Sequence, residues 1–113
     1  MKKLIPLLLF IACAQEKPKI TLLEKQEFKE MMAQDVQLID VRTPEEYSGG
    51  FIGTAVNINY NAPDFKLQIS KLDREKPVLV YCAAGGRSAK ASQILDSLGF
   101  KSIYDLKGGY RSW

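Results

Sequence analysis

The apolar positions of this chain fall into short dense runs separated by helical patterns and turn residues. Ile20-Thr21-Leu22-Leu23 reads as a first strand, and Glu24 to Gln34 as a helix with Phe28, Met31 and Met32 on one face. Val36 to Val41 is too evenly apolar for a sheet with a wetted side, so it predicts a strand covered on both faces. Thr43-Pro44-Glu45-Glu46 has the makings of a helix start: a capping Thr, Pro at the first helical position, and two acids at the positive end of the dipole. Gly49-Gly50 ends that helix. A brief strand over Ala55 to Ile58 and a helix over Asp64 to Leu72 come next. Pro77 to Tyr81 is the clearest buried strand. Arg87 to Leu98 is helical, with Ala91, Ile94, Leu95 and Leu98 inward and Gly99 as its stop. Ser102-Ile103-Tyr104 is a last strand, and Gly108-Gly109 leads into a terminal turn ending at Trp113.

Strands and helices therefore alternate with short links from Ile20 to Trp113, and no repeat or low-complexity tract interrupts them. The expected architecture is a single α/β domain with a mainly parallel central sheet and helices on both faces. In such sheets chemistry sits beyond the carboxyl ends of the strands. Asp40 and Cys82 both fall at such ends.

The segment before Ile20 does not belong to that pattern. Met1, Lys2 and Lys3 form a positive start, and Leu4 to Ala12 is an apolar run broken by Pro6, about half the length that spans a bilayer. The run ends in Phe10-Ile11-Ala12-Cys13, which resembles the signal of bacterial lipoproteins, where a cysteine after a small residue takes lipid. The resemblance implies a signal peptide over residues 1–12 and lipidation at Cys13. A polar linker over 13–19 then leads to a domain over 20–113, tethered at the periplasmic side of the cell envelope. An ordinary secretory signal, with the protein free in the periplasm, is the alternative.

Composition narrows the chemistry. The formal charge is +3, falling to +1 without Lys2 and Lys3, and no Lys/Arg cluster stands out, so nucleic acid is not an expected partner. The sequence has no histidine, which removes imidazole as general base or metal ligand. No metal or cofactor is expected. With Cys13 as lipid carrier, Cys82 is the one thiol left, and the domain has no partner for an internal disulfide.

Cys82 opens the segment Cys82-Ala83-Ala84-Gly85-Gly86-Arg87-Ser88, directly after a buried strand and directly before a helix. Small residues let the chain curl so that backbone N–H groups point inward as an anion-binding nest, and the helix start adds positive potential. Thiols so placed reach pKa values of about 3.5 to 7.5, which activates a nucleophile without histidine. Each member has a plainer reading: a buried strand-end cysteine, a surface arginine, a flexible Gly-Gly turn.

The chain resembles the rhodanese family over about Ile20 to Trp113. The family loop is a cysteine, two variable residues, glycine, one variable residue, arginine, then serine or threonine, matched by Cys82, Gly85, Arg87 and Ser88. A first signature stands at Leu38-Ile39-Asp40-Val41-Arg42-Thr43-Pro44-Glu45-Glu46-Tyr47, and a closing one at Leu106-Lys107-Gly108-Gly109-Tyr110 and Trp113. Between them Gly50-Phe51-Ile52-Gly53-Thr54-Ala55-Val56-Asn57-Ile58 carries Phe51 where the family has histidine.

The resemblance implies a rhodanese-like fold and a sulfurtransferase. Cys82 would carry sulfane sulfur as a persulfide, taken from thiosulfate or another persulfide or thiol donor. The acceptor would be cyanide, a small thiol or a partner protein thiol. Ala83, Ala84, Gly85, Gly86, Arg87 and Ser88 would form the anion-binding loop, with Arg87 orienting it and adding positive potential. Asp40 and Arg42 would support it or form a purely structural ion pair. Glu45 and Glu46 are expected as helix-cap acids, Tyr47 and Trp113 as packing, and the protein as monomer or homodimer. Rival readings are a non-catalytic or partner-dependent sulfur-binding module, and a cysteine phosphatase or arsenate reductase. Phosphatase loops hold one residue more than the four between Cys82 and Arg87.

Overall fold

The computed structural model describes residues 18–113. The expected signal peptide, Cys13 and most of the linker lie outside the described residues. Five parallel strands make one sheet: β1 (Ile20–Leu23), β2 (Gln37–Asp40), β3 (Val56–Asn57), β4 (Val78–Tyr81) and β5 (Ile103–Leu106), in the order β1-β5-β4-β2-β3. Parallel neighbours need crossovers, and these carry α1 (Lys25–Met31), α2 (Pro44–Ser48), α3 (Phe65–Ile69) and α4 (Gly86–Ser97). The expected α/β class, the parallel sheet and the coverage of both its faces are all present.

β4 lies at the centre, and all four of its residues are fully buried. Its side chains alternate between two cores. Val78, Val80 and then Cys82 join Ile39, Ile58, Phe65, Ile69, Ala91, Leu95 and Phe100 on the face covered by α3 and α4. Leu79 and Tyr81 join Leu23, Phe28, Leu38, Ile52 and Leu106 on the face covered by α1. An unbroken apolar run is what a strand feeding two cores requires.

Several elements are shorter than the apolar pattern predicts. α1 stops at Met31, because Ala33 and Gln34 close into turn bonds to Glu30 and Met31 three residues back. β3 keeps two paired residues at the sheet edge, with Ala55 held instead in a turn to Ile52. α3 spans five residues. β5 is instead longer than expected, reaching past Tyr104 to Leu106, and so takes a buried carboxylate residue, Asp105, into the sheet. The terminal turn is a 3-10 helix over Tyr110–Ser112, with Trp113 edge-on to Phe28.

Candidate active site

β4 ends at Tyr81, so Cys82 leaves the sheet at its carboxyl edge with 1 % of its surface exposed. The chain then turns back over its own sulfur. Gly85 makes this possible with φ +118°, a left-handed conformation in which a side chain is strained. Its N–H donates to Cys82 Sγ at 3.0 Å, the N–H of Ser88 donates at 3.3 Å, and the Ser88 hydroxyl lies 3.5 Å away. Burial pushes the Cys82 thiol up. The hydrogen bonds from the Ser88 hydroxyl and from the N–H groups of Ser88, Gly85 and Ala84 more than offset it, and the net direction is down. The first turn of α4 supplies the positive end of its dipole to the same sulfur.

Of the two loop glycines only Gly85 uses a conformation that needs glycine. Gly86 has an ordinary helical backbone and open space where a Cβ would stand. Ala83 is half-buried and Ala84 exposed, so the loop presents backbone rather than charged side chains at its rim.

Arg87 makes no hydrogen bond to the sulfur. Its Nη1 donates to Glu46 Oε1 at 2.7 Å and its Nη2 to Oε2 at 3.1 Å, a two-pronged pair between α4 and α2. Glu46 also accepts from the Thr43 N–H at 2.9 Å and from the Thr43 hydroxyl, closing the capping box of α2. The Arg87 guanidinium, followed by the Thr43 N–H, holds the Glu46 carboxyl down at about 2. With its guanidinium engaged in this way, Arg87 is a positioning residue whose charge also reaches Cys82. Glu46 is thus both the cap acid expected of α2 and the partner of Arg87, a pairing between residues 41 positions apart.

Asp40 and Arg42 form a second, deeper pair. Both are buried, with Arg42 Nε donating to Asp40 Oδ1 at 3.0 Å and Nη2 to Oδ2 at 2.7 Å. Arg42 Nη2 also donates to the Gly50 carbonyl, and the guanidinium lies 4.2 Å from the centre of the Tyr110 ring. The pair thus braces the corner after β2 and the terminal turn, and it makes no hydrogen bond to the loop.

The terminal turn also reaches the cysteine loop. The Tyr110 N–H donates to the Cys82 carbonyl at 2.7 Å and the Arg111 N–H to the Ala83 carbonyl at 2.9 Å. Gly109 sits so close that an added Cβ would stand 2.5 Å from the Cys82 oxygen and 2.6 Å from the Ala83 carbonyl. The Gly108-Gly109-Tyr110 signature therefore clamps the start of the cysteine loop from outside. Phe51 lies flat on Tyr47, ring centres 4.3 Å apart, and Tyr47 donates its hydroxyl to Ala55, so the aromatic residue at this position fills a stack on the rim. A cleft lined by Met32, Val36, Leu38, Thr54 and Val56 opens at the other end of β2 and has no part in this arrangement. Among the described residues no group of His, Cys, Asp and Glu is placed to hold a metal.

Residues 24–113 match the rhodanese-like domain family. Protein YqhL of Bacillus subtilis is 43 % identical over 77 residues, which cover 68 % of this chain and 60 % of that protein. Thiosulfate sulfurtransferase GlpE of Coxiella burnetii is 40 % identical over 81 residues, 70 % of this chain and 72 % of the relative. Among solved structures, a rhodanese-related protein from Thermoplasma volcanium superposes with a TM-score of 0.73 at 32 % identity, covering 82 % of this chain and 89 % of that one. With its parallel sheet, its cysteine loop and these likenesses, the chain belongs to the rhodanese-like domain family.

Proposed function

We propose that the protein is a sulfurtransferase that carries sulfane sulfur as a persulfide on Cys82. The observation that carries this reading is the convergence of the Gly85 N–H and the Ser88 N–H on one buried sulfur, with the Ser88 hydroxyl 3.5 Å from it. These donors favour a thiolate over a thiol and would equally steady the charge on a transferred sulfur. The Cys82 thiolate attacks the outer sulfur of the donor, forming the Cys82 S–S bond as the donor's own bond to that sulfur breaks. With thiosulfate the leaving group is sulfite. An acceptor, cyanide or a thiolate, then attacks the outer sulfur of the persulfide. That S–S bond breaks, its electron pair returns to Cys82 Sγ, and thiocyanate or a new persulfide departs.

The relatives named thiosulfate sulfurtransferase support the class of reaction. The site itself favours donors of lower charge than thiosulfate. Arg87 is paired with Glu46, and Ala83 and Ala84 bring no cation, so a divalent anion would meet mainly backbone N–H groups beside an already neutralised guanidinium. A persulfide on a small thiol or on a partner protein suits such a cradle better. A partner-dependent carrier is the second reading, favoured by the near-complete burial of Cys82. We also propose that Cys13 carries lipid and holds the domain at the cell envelope. Incorporation of labelled fatty acid in bacterial cells, lost in Cys13→Ser, is the outcome expected.

The deciding experiment is intact-mass analysis of the full chain carrying Cys13→Ser, after brief exposure to thiosulfate or to a glutathione persulfide, with Cys82→Ser alongside. The expected result is a gain of one sulfur atom, removed by cyanide or a thiol and absent from Cys82→Ser, with the persulfide donor the faster of the two. No adduct from either donor on a folded, reduced sample would remove the free-enzyme reading.

A further inference from the structure

Two guanidinium groups flank the cysteine loop, and a carboxylate faces each of them. Arg42 is buried with Asp40, while Arg87 and Glu46 form an outer pair whose side chains are 27 % and 34 % exposed. Three contacts place that outer pair beside the sulfur. The Val41 N–H donates to the Tyr81 carbonyl at 3.0 Å, so the chain leaving β2 for α2 runs alongside the chain leaving β4 for Cys82. Arg87 stands in the first turn of α4 between Gly85 and Ser88, whose N–H groups donate to Cys82 Sγ at 3.0 Å and 3.3 Å. Gly50, just after α2, packs so closely on Tyr110 that an added Cβ would stand 2.7 Å from its hydroxyl, and the Tyr110 N–H donates to the Cys82 carbonyl. Arg87 holds its proton more tightly than usual, first through Glu46 and, among smaller effects, through the charge of Cys82.

The two carboxylates are needed for different things. Asp40 is fully buried, and without it Arg42 would be left as an unpaired charge inside the protein. Glu46 is partly in solvent, and its bonds from the Thr43 N–H and hydroxyl close a capping box, a motif that takes glutamine as well as glutamate at this position. The start of α2 therefore does not require the negative charge of Glu46. That charge falls on Arg87, whose two prongs it occupies at 2.7 Å and 3.1 Å. A guanidinium held in this way offers little net charge to an incoming ion. Cys82 is 1 % exposed, so a donor has to come close against the loop to reach it. At such range one unit of charge changes the approach of an anion by about tenfold.

We propose that Glu46 sets the charge of the donor that Cys82 accepts: by neutralising Arg87 it turns the site against compact divalent anions such as thiosulfate and leaves it to donors of lower charge. The proposal rests on the reading of Cys82 as a sulfur carrier and names the residue behind its donor preference. Glu46 acts on the reaction through Arg87 and is a positioning residue. Loss of its charge alone converts the cradle. The loop N–H groups stay where Gly85 and the first turn of α4 put them, and an unpaired guanidinium is added beside them.

The test compares alkylation of Cys82 by iodoacetate and by iodoacetamide in the full chain with Cys13→Ser, which leaves Cys82 as its thiol. With either reagent an S–C bond forms at Cys82 as the C–I bond breaks and iodide departs, so the two differ in charge. Their rate ratio cancels changes in the thiol itself. Glu46→Gln should raise the ratio of iodoacetate to iodoacetamide rates about tenfold. Arg87→Met should lower it by a similar factor, Glu46→Asp should hold it near wild type, and Glu46→Gln joined to Arg87→Met should return it there. Glu46→Gln should also lower the thiosulfate concentration for half-maximal sulfur loading, by about tenfold or more. A purely structural role for Glu46 would slow both reagents together. An unchanged ratio in Glu46→Gln, or a rise that persists in the double variant, would overturn the proposal. If Glu46→Gln does not fold, Arg87→Met decides with the opposite sign, and no fall in its ratio overturns it. Because alkylation needs no sulfur donor, failure of the mass experiment and failure of this one are separate results.

Discussion

Gly85 and Gly86 stand side by side in the loop and do different things. Gly85 holds φ +118°, where a side chain costs about 1–2 kcal/mol, and that conformation aims its N–H at the sulfur. Gly86 is the first residue of α4 with free space around it, and there alanine is a better helix former by up to about 1 kcal/mol. Gly85→Ala should therefore slow persulfide formation on Cys82 several-fold or more. Gly86→Ala should leave that rate within about twofold and stability equal or higher. Intact-mass time courses and thermal melts on the two variants check this. Equal losses in both would mean that the loop needs flexibility rather than one fixed bend.

Among elements, the terminal turn has the least regular structure and a direct grip on the site. Its two N–H bonds to the carbonyls of Cys82 and Ala83 fix where the loop begins, and they depend on the close approach that Gly109 permits. A methyl group at Gly109 meets backbone at 2.5 Å and 2.6 Å, and backbone cannot rotate aside as a side chain can. Gly109→Ala should cost about 1–3 kcal/mol of stability and displace the loop, with a larger loss of sulfur loading than of folding. Comparing denaturant midpoints with loading rates separates the two. α2 serves the loop from the opposite side. Pro44 and Thr43 set its start, Glu46 closes the capping box, and the same carboxylate takes the Arg87 guanidinium. A five-residue helix is thereby held at both its cap and its partner.

For the whole molecule, two carboxyls pull stability in opposite directions with pH. Glu46, lowered from 4.5 to about 2, contributes stability that is full above 4.5 and is lost as pH falls toward 2. That pair is about a third exposed, so solvent screening keeps its contribution small. Asp105, raised from 3.8 to about 6, binds its proton more tightly when folded. Its penalty begins near pH 3.8, grows until about 6, and stays in full above that. Asp105→Asn should raise the melting temperature at neutral pH, by an amount equivalent to about 1–3 kcal/mol, and change little below pH 4. Melts across that range on wild type and variant check the sign.

The sequence by itself determined the α/β class, the both-faced burial of β2 and β4, the start of α2, and the placing of Cys82 between a strand and a helix. Each of these is carried by neighbours in the chain, through side-chain period, capping chemistry and the backbone freedom of small residues. Cys82, Gly85, Arg87 and Ser88 were legible for the same reason, since the loop is a local object. What only the tertiary structure decided are the contacts between residues far apart in the chain. Arg87 pairs with Glu46, 41 positions away. Gly109 and Tyr110 clamp a loop that precedes them by more than twenty residues. Asp105 lay hidden because a single acid ends an apolar run when read along the chain. Pairing between β4, β5 and β1 is what encloses it in the sheet, and a linear pattern holds no information on which strands become neighbours.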